Sequence, residues 1–310
     1  MATTAFQPGL VNLFTTQFST NLELLLQQMG SLLRGKIREG FHVGKMASPI
    51  NQIGAISSQA PAGRFAPLQR VDANLVRRWV FPQERELPQL VDQFDEYQTI
   101  VDPKSMYAQN TAMAFGRDWD DAIIAAFFGT AQTGQDAANL TGETASTTTY
   151  GVSDTFGSSA STGLTVAKII EARRIMRHYH VDVDTDPLSL LIGSKQESDL
   201  LQQVQVVSTE FADRPILTNG KLTQFLGFDI TVSERLSPGT ASLRQCYAWA
   251  KSGMYLGMWK DMEVQMDRRV DLSSQPWQIY AKHMYGATRT QLGKVIQILA
   301  ADTTGADITP

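Results

Sequence analysis

Apolar residues recur along the chain with two periods, and each period predicts an element where it holds. From Ser105 to Phe128, the residues Ala108, Ala112, Phe115, Trp119, Ala122, Ile123 and Ala126 share one face at 100° per residue, the stripe of an amphipathic helix. Asp102-Pro103-Lys104-Ser105 is a start signal with proline at the first helical position, and Gly129 is the stop. At 1.5 Å per residue this helix is about 36 Å long. Its acidic run, Asp118, Asp120 and Asp121, is assigned to the solvent side. Upstream, Leu22, Leu25, Leu26, Met29, Leu32 and Leu33 recur at three- and four-residue steps and predict another amphipathic helix, capped by Asn21. Arg34, Lys36 and Arg38 follow where cations suit a helix C-terminus. This pattern serves equally a helix docked on its own core and an arm docked on a neighbour.

Beyond residue 163 the periods mix. Thr165 caps a helix carrying Val166, Ile169, Ile170, Arg173 and Met176, and Leu188 to Ile192 has the make-up of a short buried strand. Ser194-Lys195-Gln196-Glu197 has the form of a capping box opening a further helix. Alternation predicts strands at Phe228/Ile230/Val232, at Tyr247/Trp249, and at Met254/Leu256/Met258 after a turn at Ser252-Gly253. More follow at Val264/Met266, Trp277/Ile279/Ala281 and Val295 to Leu299. Helices and strands without βαβ regularity make the class α+β.

Two stretches fit neither period. Residues 41 to 95 hold Pro49, Pro61, Pro67, Pro82 and Pro88, which exclude a long helix. Phe41 to Ser58 and Arg70 to Phe81 can be extended, with the turn-rich Gln59-Ala60-Pro61-Ala62-Gly63 between them, so a long two-stranded excursion is predicted. Such a hairpin is marginal alone and needs something to lie against. Residues 130 to 163, rich in Thr, Ser, Gly, Ala and Gln, suggest a surface loop, with Ser146 to Tyr150 able to pair as a strand.

Charge sharpens this picture. Charged residues are 19% of the 310, where roughly 25% is usual. The shortage is local: residues 1 to 33 hold only Glu23, residues 41 to 63 only Lys45, and residues 130 to 163 only Asp136, Glu143 and Asp154. Such depletion is expected where surface is covered by another subunit. Net charge is −4, which leaves no overall electrostatic footprint for tight nucleic-acid binding. A lone cysteine, Cys246, allows neither an internal disulfide nor a thiolate metal site, and reads as a small buried apolar residue. With neither a signal-peptide pattern nor an 18-residue apolar run, the expectation is a soluble protein of a reducing cytoplasm.

Candidate chemistry is sparse. On an extended strand His178, His180, Asp182, Asp184 and Asp186 would share one face and could ligate a metal. A calcium loop, however, needs Gly and Glu where Pro187 and Gly193 stand, and a helix C-terminus followed by a solvated turn explains the run better. There is no Gly-x-Ser-x-Gly, His-Glu-x-x-His or phosphate-loop motif, so nothing argues for catalysis. Arg64, Arg70, Arg77, Arg78 and Arg85 gather on the second half of the excursion, with Trp79 among them and Glu84, Glu86, Asp92, Asp95 and Glu96 close behind. The balance of signs favours ion pairing across subunits over phosphate contact.

Several stretches resemble the major capsid proteins of tailed bacteriophages. They are Leu90-Val91-Asp92-Gln93-Phe94-Asp95 leading into Val101-Asp102-Pro103-Lys104-Ser105-Met106-Tyr107-Ala108, and Gly116-Arg117-Asp118-Trp119-Asp120-Asp121-Ala122-Ile123-Ile124 closed by Gly129-Thr130-Ala131. Leu226-Gly227-Phe228-Asp229-Ile230-Thr231-Val232-Ser233 and Tyr285-Gly286-Ala287-Thr288-Arg289 agree. The resemblance spans roughly residues 40 to 300, and the Asp-Pro to Gly-Thr-Ala block is its specific part. It implies the Hong Kong 97-like fold: an N-terminal arm (1–40), an extended loop (41–95), a peripheral domain (96–186), an axial domain (187–280), and return strands with a C-terminal tail (281–310). The peripheral domain would hold the spine helix (105–128) and an insertion (130–163). It further implies a non-enzyme with no cofactor or metal, whose copies form pentamers, hexamers and a closed icosahedral shell. The partners would be a separate scaffolding protein, a portal and packaged double-stranded DNA, with no membrane. Assembly would take place in the host bacterial cytoplasm and the product would be the virion. Arg64, Arg70, Arg77, Arg78, Trp79, Arg85, Glu86 and Asp92 are the candidate subunit-interface residues. An encapsulin-type compartment would share the fold but enclose a cargo enzyme; a metal-dependent enzyme using His178 to Asp186 is the rival of another class.

Overall fold

The longest amphipathic stripe forms its helix: α1 runs Lys104–Phe128, one residue longer than expected. This computed structural model describes residues 27–45, 47–60, 63–65, 67, 70–91, 104–134, 139–203, 222–236, 243–273 and 275–302. Two further helices, α2 (Val166–His178) and α3 (Ser194–Leu201), are present among them. Thr165 caps α2 as predicted, its hydroxyl accepting from the Lys168 amide.

The strands form three sheets. In the first, β1 (Arg38–Phe41) lies parallel to β12 (Met254–Arg268), which pairs with β13 (Trp277–Arg289), which pairs with β4 (Gln83–Val91). The second has six strands in the order β7 (Gly151–Val152), β14 (Val295–Ala301), β11 (Leu243–Ala250), β8 (Leu188–Ile192), β10 (Phe228–Val232) and β9 (Gln224–Phe225). The third joins β2 (Ala47–Ile53), β3 (Leu75–Val80), β5 (Ala131–Gly134) and β6 (Thr141–Glu143).

Alternation along β11 builds two cores at once. Cys246, Ala248 and Ala250 face a core made with α2, β8, β10 and β14. Tyr247 and Trp249 point the other way, each 4.8 Å from the Phe127 ring of α1. Full burial of a side chain such as Phe127 contributes about 1.5–3 kcal/mol. The 3-10 turn Lys251–Gly253 then hands the chain from the six-stranded sheet to the first sheet, so β11 and β12 are sequence neighbours in different sheets. The expected divisions at 186 and 280 run through these cores, because α2 and β14 pack on the six-stranded sheet while β12 belongs with β13.

Several expectations are corrected. Leu22, Leu25 and Leu26 lie outside the described residues, and residues 27–33 are not helical. Gly30 takes a left-handed φ of 76° where the segment crosses α1 at Gly116; a Cβ there would lie 2.5 Å from the Gly30 carbonyl carbon. That close crossing outweighs the local helical pattern. The capping box does not form: Gly193 holds the cap position, and the Ser194 amide donates to Glu234 Oε1 at 2.6 Å. Ser146 to Tyr150 is a turn closed by the Tyr150 amide on the Ser146 carbonyl (2.9 Å), whereas the insertion's strands are β5 and β6, which pair with each other, and β7, which pairs with β14.

Candidate assembly surface

The predicted excursion has a stem and a tip. In the stem β3 is central, pairing with β2 through Ile50↔Arg78 and Asn51↔Arg77, and with β5 through Arg77↔Gly134, Arg78↔Thr133 and Trp79↔Gln132. The last rung is the Gly54 amide on the Asn74 carbonyl at 2.7 Å. Past it, Ile56 is 65% exposed and Phe65 98%, and Ile53, Val71 and Leu75 are also open to water. Ile53 and Ile56 lie on the charge-poor residues 41–63, whereas Phe65, Val71 and Leu75 stand among Arg64, Arg70, Asp72 and Arg77.

The candidate interface residues divide. Arg78 is 6% exposed and paired with Glu143, and Trp79 donates through Nε1 to the Gly134 carbonyl at 3.1 Å. Both are spent within the chain, holding the stem. Arg64, Arg70 and Arg77 are exposed, with Arg70 Nε 2.7 Å from Asp72. Arg85 and Glu86 are exposed on β4, opposite His283 and Lys282 respectively, and Glu86 accepts from the Tyr280 hydroxyl at 2.9 Å. Asp92, with Asp95 and Glu96, lies outside the described residues.

Arg85 opens on a cleft of 610 Å³ between α1, β4 and β13, lined also by Asp118, Asp121, Tyr285 and Arg289. Burial raises the Asp118 carboxyl above its ordinary range, with Arg85 opposing. Behind it His283 stacks on Phe115 at 4.0 Å and is 2% exposed, with neither ring nitrogen hydrogen-bonded. Burial, and then Arg85, push its pKa down to about 4, so the imidazole is neutral at pH 7. Arg289 donates to the carbonyls of Phe127 (2.6 Å), Gly129 (3.2 Å) and Glu143 (3.1 Å), closing the end of α1 where carbonyls lack helical partners. Burial lowers its pKa to about 10, leaving it charged at neutral pH.

Asp120 and Lys168 are buried charges that the sequence pattern did not reveal. Asp120 is 1% exposed, not on the solvent side: it accepts from the amides of Leu32 (3.0 Å) and Leu33 (3.2 Å), from Ser31 Oγ and from Gln28 Nε2. Gly116, one turn earlier on the same face, was the available signal, since a glycine beside a carboxylate lets a second backbone approach. Lys168 is fully buried, its ammonium on the carbonyls of Thr162, Gly163 and Leu299, and burial lowers its pKa to about 8. A lysine within the apolar stripe of α2 was the hint.

The His178 to Asp186 run is not an extended strand. Helix α2 ends at His178, and His180 takes a φ of 56°. Asp182 Oδ1 accepts from the amides of Asp184 and Thr185 (both 3.2 Å), and Asp186 accepts from Ser252. Among the described residues no three His, Cys, Asp or Glu side chains gather closely enough to hold a metal ion, and no helix is long and apolar enough to cross a membrane.

A family described as phage capsid protein matches residues 10–302. No curated protein matches the chain. Among solved structures, the capsid of cyanophage P-SCSP1u superposes with a TM-score of 0.74 at 14% identity, covering 97% of each chain. The capsid of cyanophage Pam1 gives 0.71 at 12% identity, over 98% of this chain and 100% of that one. A structure of Mycobacterium phage Che8 gives 0.67 at 14%, over 92% and 97%. The architecture is therefore the Hong Kong 97-like one that the sequence resemblance implied.

Proposed function

The chain belongs to the phage capsid protein family and is a shell protein of a phage, and on that premise we propose that its copies close into an icosahedral shell around the double-stranded DNA of a tailed phage. The observation that carries this is the family match over residues 10–302. The exposed apolar loop supports it, since that surface has to be covered by a neighbouring copy. Many such heterologous contacts close into pentamers, hexamers and a shell. Residues 1–40 are the arm and 41–95 the loop that lies over the neighbour. Helix α1 and the first sheet form the peripheral part, and the six-stranded sheet forms the axial part that meets its copies around the local five- and six-fold axes. Arg64, Arg70, Arg77, Arg85, Glu86 and Asp92 supply charges to the contacts, while Arg78 and Trp79 act indirectly by holding the stem. A separate scaffolding protein guides assembly, and a portal completes the shell. A net charge of −4 suits a wall that contains DNA without gripping it. Assembly in the host cytoplasm and residence in the virion follow. Negative-stain microscopy of the purified protein is expected to show shells or capsomer rings; a monomer at every salt and crowding condition would sink the proposal.

A further inference from the structure

We propose that the β5–β6 hairpin is a brace that ties the loop stem to the C-terminal end of α1, so that the loop bends at Gly54 and Asn74 and not at its root. Three observations meet here. The stem is no longer two-stranded, because β5 covers the free edge of β3 and β6 covers that of β5. A lone hairpin is marginal, and added strands give it independent stability. Glu143, on β6, is gripped twice: its side chain pairs with the buried Arg78 of the stem, and its carbonyl accepts from Arg289. Arg289 at the same time holds the Phe127 and Gly129 carbonyls, so one guanidinium joins the brace to the helix end. The neighbouring residue, Thr290, accepts through its carbonyl from Gln52 Nε2 of β2 at 3.0 Å. The ladder stops at the Gly54–Asn74 rung, and none of the described residues from 55 to 73 is in a strand. The orientation of α1 thus sets the direction in which the loop leaves the subunit.

The brace deepens the proposed role of the loop as an inter-subunit contact and rests on it. Hydrogen exchange on the unassembled full-length protein tests it. Amides of Arg77, Arg78 and Trp79 are expected to exchange on the order of 100-fold more slowly than those of Ile56 to Ser58. In Glu143→Ala that ratio falls towards one, while α2 and β8 keep their protection and shells form with mixed sizes. Equal exchange of stem and tip in the unaltered protein overturns the brace, as does full stem protection in Glu143→Ala. The unaltered protein answers the question even if the variant does not fold. Deleting Ser57 to Arg70 separates the two ideas: shells that persist defeat the loop contact, and slow stem exchange in that deletion still upholds the brace.

Discussion

The six-stranded sheet and the first half of the extended loop, residues 41 to 63, are both poor in charge, for opposite reasons. In β8 all five residues from Leu188 to Ile192 are buried, flanked by Phe228, Ile230 and the inward side of β11. In the loop the apolar residues Ile53, Ile56, Phe65 and Leu75 face water, and Phe65 is 98% exposed. Absence of charge therefore marks surface that leaves water, either when one chain folds or when several assemble. The first region stabilises the subunit; the second adds little to it, and on the proposed reading a neighbouring copy covers it.

That contrast can be broken by substitution. Leu190→Ala, at a fully buried site, is expected to cost about 2–5 kcal/mol in urea denaturation. A loss below about 1 kcal/mol would remove the six-stranded sheet from its role as the stability core.

A smaller effect arises at the joint between helix α1 and the first sheet. His283 faces Asp118 from α1, Arg85 from β4 and Asp261 from β12. Folded, it takes up a proton only near pH 4, whereas an unfolded histidine does so near 6.5. The unfolded chain binds more protons in that window, so stability is whole above pH 6.5 and declines towards pH 4, by on the order of 2 kcal/mol. Comparing urea midpoints at pH 7 and pH 5 should show His283→Phe with a flatter dependence than the unaltered protein. An unchanged slope would place the acid sensitivity elsewhere.

The smallest effect on stability, within about 0.5 kcal/mol, is expected for Phe65→Ser, because the ring touches little within its own subunit. Its shells should nevertheless be fewer, as measured by sedimentation. Normal shell yield would show that this part of the tip has no neighbour to cover it.

How legible the molecule was in its sequence varied with the range of the interactions involved. Helix α1, helix α2 and the strands β8, β10 and β11 were readable because each carries a complete period of apolar residues, and burial of that face is what stabilises it. The insertion was not: Ala131–Gly134 and Thr141–Glu143 carry no apolar alternation, and they become strands because β3 offers a free edge. Among the interface candidates, Arg64, Arg70 and Arg77 are exposed, whereas the burial of Arg78 depends on Glu143, 65 positions away, which no local pattern encodes.

Sequence alone determined the class, the long helix, the strand-rich second half and the charge-poor stretches, because these rest on composition and on contacts a few residues apart. Tertiary structure alone decided that β11 and β12 serve different sheets, that Asp120 anchors residues 28–33, and that Arg289 joins the helix end to β6. Each of those depends on which backbone group lies opposite a strand edge or a buried charge. No local period encodes that choice, since an open edge or a buried carboxylate is satisfied equally well by a near or a distant partner.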